Sequence, residues 1–239
     1  MRHLGRFKFL SLLIAGFLTL TAVSNPTVQS TVKGWAPDHT VLVASLNKFS
    51  AISPSVVLLE SEVHLSPTDS TTVSYSGVIV KRKGPMATIL TVAHGCTPAG
   101  MAPSVLTVYQ NDSAPVVGRL IKSARNPMLE GDLCLIEAPV KGRPMPIAWH
   151  YTPGFGDKIY SVGSPAGVLE FPVEGYMSGP VGPIDTYLIS LPVSPGYSGG
   201  PLVFRGNLIG IVTATVPIIA HGALAESVGT IEEFMRDAK

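Results

Sequence analysis

Gly196-Tyr197-Ser198-Gly199-Gly200-Pro201-Leu202 is the stretch on which the reading of this chain turns. A serine held between glycines sits where the backbone can bend sharply and where N–H groups can point inward. There Ser198 can present its hydroxyl to a carbonyl carbon. The amides of Gly196 and Ser198 can hold the negative oxygen that forms on attack, because preorganised donors act on charge as it develops. A Gly-rich hairpin turn is the plain alternative. What separates the two readings is whether the rest of the chain supplies a base and a group to orient it.

The stretch also fits G-x-S-x-G, the nucleophile elbow of α/β-hydrolases, which requires an acid and then a histidine after the serine. Beyond Ser198 the one histidine is His221, and no Asp or Glu lies between them. The opposite order, His then Asp then Ser, is met with supportive context at each member. His94 lies in Thr91-Val92-Ala93-His94-Gly95-Cys96, directly after the apolar run Ala87 to Leu90. Asp132 lies in Gly131-Asp132-Leu133-Cys134-Leu135-Ile136. A carboxylate at the mouth of an apolar strand is costly to bury unless it is hydrogen-bonded, and an imidazole N–H would supply that bond. Taken singly, His94 reads equally as a satisfied core histidine and Asp132 as a strand cap. Taken with the Ser198 loop, the three read as a catalytic triad.

Working outward, the chain breaks into many short strand candidates: 56–59, 72–80, 87–92, 105–109, 116–121, 133–136, 158–162, 168–177, 186–191, 201–204 and 208–212. Gly, Pro, Asn or Asp punctuates most gaps, and 24 Gly with 21 Pro suit tight turns. Short strands with turn signals predict an all-β barrel or sandwich. Pro172 predicts an edge strand or two shorter pieces in its segment. A C-terminal helix is expected with Thr230 as N-cap and Glu232 and Glu233 in the first turn.

The motifs around His94, Asp132 and Ser198 resemble the signatures of trypsin-like serine peptidases. The nearest branch is HtrA/Deg. Pro54-Ser55-Val56-Val57 resembles its opening strand, Val162-Gly163-Ser164-Pro165-Ala166-Gly167 its Gly-rich turn, and Leu208-Ile209-Gly210-Ile211-Val212 the strand after the nucleophile. The resemblance implies two packed six-stranded antiparallel β-barrels of the chymotrypsin type with a short C-terminal helix, and a serine endopeptidase acting through an acyl-enzyme. It also implies a polypeptide substrate and no cofactor. Pro192 would lie at the base of the primary pocket, and Thr213, Ala214 and Thr215 would pair with the extended substrate. With Pro192 neutral, a small or medium apolar P1 residue is expected. Tyr197 stands where trypsins carry Asp and the HtrA branch carries Asn, so the ion pair that activates trypsins is not expected. The Tyr197 ring and hydroxyl would hold the loop instead. No PDZ domain is read after the peptidase. An inactive peptidase-like binding or scaffold module is the alternative.

The bulk numbers agree with a folded enzyme domain. Hydrophobic residues make up 46% of the 239 residues and charged residues 14%, and the net charge is +1. That balance excludes wholesale disorder and gives no support for a nucleic-acid partner. Residues 1–24 carry a basic head and an apolar run from Phe9 to Val23, then small residues. They read as a signal peptide or a membrane anchor. Fifteen residues rise only about 22 Å as a helix, short of a ~30 Å hydrocarbon core. Either reading places the rest of the chain outside the cytoplasm, secreted, periplasmic or tethered. Residues 25–53 read as a linker or N-terminal arm with one strand candidate at 40–44, and 54–239 as the peptidase domain. Cys96 and Cys134 lie in apolar surroundings, which predicts free buried thiols, with a disulfide as the alternative. A zinc site on His94, Cys96 and Cys134 lacks a fourth partner, so no metal is expected.

Overall fold

Strand formation follows the apolar runs, and the strands extend well past them. The computed structural model describes residues 48–66, 69–111, 113–126, 131–151, 154–181 and 185–236. The segment read as a signal peptide or membrane anchor at 1–24, most of the 25–53 arm and its strand candidate lie outside these residues. Residues 48–52 are helical, Ile52 is buried, and Phe49 meets Tyr160 edge-on at 5.8 Å. Packing therefore begins inside the stretch read as an arm.

The first half contains β1 (Val56–Ser66), β2 (Asp69–Lys83), β3 (Met86–Thr91), β4 (Val105–Tyr109), β5 (Val116–Val117), β6 (Arg119–Asn126) and β7 (Gly131–Ala138). They form one antiparallel sheet in the order β5-β4-β1-β2-β3-β7-β6. The second half contains β8 (Lys158–Gly163), β9 (Phe171–Val181), β10 (Thr186–Ser190), β11 (Pro201–Phe204), β12 (Asn207–Thr215) and β13 (Gly222–Ser227), closed as a barrel in the order β10-β13-β12-β11-β8-β9. The fold is all-β with two barrel-like halves. The second is a six-stranded ring, whereas the first is a curled seven-stranded sheet. Val57, Leu59, Ile79, Ile89 and Leu133 fill the first core, and Ile159, Met177, Ile189, Leu202 and Ile209 the second. Each such side chain contributes about 1.5–3 kcal/mol on burial.

Local departures from the sequence expectations have identifiable causes. The strand expected over 116–121 is two, because Gly118 leaves the ladder and donates its N–H to the Leu106 carbonyl at 2.8 Å. A side chain there would lie 2.5 Å from Leu106 Cδ2. Pro172 is the second residue of a continuous β9, where only β8 pairs with it; β10 joins β9 from Tyr176 onward. Its missing N–H therefore removes no ladder bond on the other side. The C-terminal helix α2 (Val228–Arg236), with α1 (Ala93–Cys96) before it in the chain, starts three residues earlier than expected. Ser227 caps it, accepting the Thr230 N–H at 3.2 Å, so Thr230 is not the N-cap and Glu232 and Glu233 fall beyond the first turn. Strand β13 was not anticipated, because Gly222-Ala223-Leu224-Ala225-Glu226-Ser227 carries little β propensity.

Candidate active site

The β3–β7 register does most of the assembly. Thr91 pairs with Cys134, so the chain leaving β3 comes abreast of Asp132 as it turns into α1. There His94 Nδ1 meets Asp132 Oδ2. Asp132 Oδ1 accepts the backbone N–H of His94 at 2.9 Å. Both carboxylate oxygens are thus engaged by one residue, which fixes the imidazole orientation. The His94 side chain is 33% exposed and Asp132 16%, so the ring can meet a substrate while the acid is screened behind it.

The same register brings the cysteines together. Cys96 and Cys134 form a disulfide with Cα atoms 6.5 Å apart, which corrects the expectation of free thiols. Apolar surroundings bury a cystine as readily as a thiol, and proximity decided the matter: the two residues flank His94 and Asp132, which are in contact.

The Ser198 loop is pinned from both halves. Gly196 has φ +92°, and a side chain there would lie 2.8 Å from the Ser164 carbonyl. The Pro195 carbonyl accepts the Ala166 N–H at 3.0 Å. In a planar trans peptide the adjoining Gly196 N–H points the opposite way. Among the described residues no backbone carbonyl accepts from the N–H of Gly196 or of Ser198. Tyr197 is 1% exposed, its ring lies against Gly163 and Gly200, and its hydroxyl donates to the Phe171 carbonyl at 3.2 Å. Burial pushes its phenol above the ordinary range, so it anchors the loop as a neutral group.

Sequence reasoning missed Ser76, at the centre of β2. Its N–H donates to the Ser198 carbonyl at 2.7 Å and its hydroxyl donates to the Gly196 carbonyl at 2.9 Å. That hydroxyl also accepts the Ser164 N–H at 2.8 Å, and the Ser76 carbonyl accepts the Thr91 hydroxyl at 2.6 Å. Ser76 is fully buried, and a buried polar group needs partners, but nothing in the sequence marks that burial.

The Ser198 hydroxyl itself donates to the Thr213 carbonyl at 3.0 Å. Among the described residues no hydrogen bond joins it to His94. The structure thus pairs His94 with Asp132 and sets Ser198 against β12. Thr213, Ala214 and Thr215 end that strand, the last two exposed. Pro192 is exposed at a tight turn in which the Val193 N–H donates to the Leu191 carbonyl at 2.8 Å. Among the described residues no cluster of His, Cys, Asp and Glu has the makings of a metal site.

Two barrel-like halves with a histidine and acid on one and a glycine-flanked serine on the other define the class of chymotrypsin-fold serine peptidases. The profile of the trypsin-like peptidase domain matches residues 75–211, and the chain belongs to that family. Among curated proteins nothing matches it. Among solved structures it is similar to an inactive form of Rv3671c from Mycobacterium tuberculosis, a serine-to-alanine variant, with TM-score 0.65 and 20% identity over 80% of this chain and 89% of that one. The active form of the Rv3671c protease is similar with TM-score 0.64 and 21% identity, covering 79% and 82% of the two chains. The serine endoprotease from Yersinia pestis is similar with TM-score 0.66 and 22% identity, over 80% of this chain and 65% of that one.

Proposed function

We propose that this serine peptidase cleaves peptide bonds through His94, Asp132 and Ser198 by way of an acyl-enzyme. The observation that carries the reading is the two-point engagement of His94 by Asp132. In this reading the Ser198 hydroxyl turns from the Thr213 carbonyl toward His94, a side-chain rotation of the ordinary fast kind. His94 then takes the hydroxyl proton as the Ser198 oxygen bonds to the substrate carbonyl carbon, and Asp132 stabilises the imidazolium. The amides of Gly196 and Ser198 receive the oxyanion. The C–N bond breaks, His94 hands its proton to the leaving amine, and water releases the acyl group by the same route. The exposed end of β12 at Ala214 and Thr215 offers a backbone edge for an extended polypeptide substrate.

An inactive binding module is the second reading, favoured by the engagement of the Ser198 hydroxyl with Thr213. A fluorophosphonate probe separates the two. The purified chain is expected to label and the S198A variant not to; equal absence of labelling in both would leave the binding module. With 1–24 read as a signal peptide or membrane anchor, 25–53 as an arm and 54–239 as the peptidase domain, action outside the cytoplasm is proposed. A membrane-impermeant form of the same probe should therefore label intact cells, and labelling only after lysis would place the domain inside.

A further inference from the structure

The second half contributes a buried acid that the triad chemistry does not use. Glu226 on β13 is 4% exposed. Its Oε1 accepts the backbone N–H of Asp132 at 3.2 Å, while Oε2 is buried with no hydrogen-bond partner. The contact spans the two halves: β13 pairs with β10 and β12 of the closed barrel, whereas Asp132 opens β7 of the first sheet. Gly131 makes the approach possible. It has φ +74°, and a side chain there would lie 3.2 Å from Glu226 Oε2 and 2.8 Å from Thr230 Cγ2.

We propose that Glu226 is a positioning residue for the triad acid, holding the Asp132 backbone from across the junction of the two halves, and that it does so as the neutral acid. The inference rests on the triad reading above. Two features require neutrality. An ionised carboxylate with one oxygen buried and unpartnered is far more costly than a carboxylic acid in the same place. A second negative charge beside Asp132 would also be repelled by it. The ionisable groups facing Glu226 are Asp132 from β7 and Asp185 ahead of β10, both acidic, while α2 turns the uncharged Thr230 toward it. Burial raises the Glu226 carboxyl above the usual carboxylate range; the Asp132 N–H opposes the rise, and the Asp132 and Asp185 charges add to it. Asp132 thereby remains the one negative charge that the imidazolium meets, with its backbone held from behind.

The sign of the stability effect follows. Folded Glu226 keeps its proton to higher pH than the unfolded chain does. Its contribution is intact below the ordinary carboxylate range and is lost as pH rises through the raised value. Glutamine keeps the acceptor oxygen and cannot ionise. In the full chain, E226Q should therefore unfold at higher urea than the wild type at mildly alkaline pH, with the gain vanishing at acid pH.

E226A strands a buried N–H and should lower kcat about tenfold with KM nearly unchanged. It should also weaken the low-field proton resonance of His94 Nδ1–H, and E226Q should restore both. Equal damage from E226Q and E226A, or an E226Q that is less stable at alkaline pH, would show that the charge is needed and overturn the proposal. So would an E226A that loses stability with kcat and resonance intact. Should E226A not fold, the resonance and pH-dependent stability of E226Q decide. Retained activity in S198A would fall on the triad reading alone, since neither of those two readouts uses turnover.

Discussion

Ser76 spends every hydrogen-bonding group it has on the catalytic neighbourhood. Its N–H holds the carbonyl of Ser198, and its hydroxyl joins the Gly196 carbonyl to the Ser164 amide. These are the two residues whose own N–H groups are proposed to receive the oxyanion, so the strut sets where those donors point. Tyr197, packed inward between them, holds the same loop from the closed barrel. A neutral aromatic anchor and a serine strut thus occupy the place of an ion pair. S76A removes one donor and strands the buried Ser164 N–H, which costs about 1–3 kcal/mol. Because the loss falls on transition-state geometry, kcat should drop roughly tenfold with KM within about twofold. Affinity for a peptide boronic acid should fall in step. An S76A chain that melts earlier with kcat unaltered would make Ser76 a packing residue only.

At the scale of elements, the strand pair β3–β7 carries the first half of the site. It brings His94 to Asp132, and the Cys96–Cys134 disulfide closes a loop of sequence separation 38 that contains Asp132 and starts just after His94. Removing such a bridge typically costs about 2–4 kcal/mol, mostly by freeing the unfolded chain. The C96A/C134A pair is expected to show that loss in urea unfolding, with a smaller effect on kcat because the strand register stays. A loss of activity far beyond the loss of stability would mean that the bridge itself aims His94. Mass analysis of the non-reduced, alkylated protein should find no labelled thiol. The helix α2 tells a similar story of neighbours deciding details. Ser227 wins the cap over Thr230 because it ends β13 and is also tied to Asp185.

For the molecule as a whole, the site exists where the two halves meet, and the contacts that shape it cross that junction. Ser76, held in turn by the Thr91 hydroxyl, reaches the Ser198 loop from the first sheet, and Glu226 reaches Asp132 from the barrel. No new α-amino group is needed in this scheme, since Tyr197 cannot pair with one and a buried ammonium without a partner is costly. A chain beginning near Asn25, or carrying an N-terminal tag, should titrate fully with an active-site reagent while its N-terminus stays intact. Titration near zero, rising only after a cut between residues 30 and 55, would show that the loop is ordered by processing.

The all-β class was legible along the chain, and so were the residues of the proposed triad, because each rests on a local signal. Glycines mark the Ser198 turn, and apolar strands lead up to His94 and onward from Asp132. Hydrophobic alternation reports strands by itself. The paired cysteines, the Ser76 strut, Glu226 and the weakly signalled β13 were not legible. Each depends on which strand lies beside which, a matter of register and closure between residues that are not neighbours in the chain. A serine or glutamate looks the same in sequence whether it faces water or a buried amide. Only the packed structure, by burying it and supplying or withholding a partner, gives it a role.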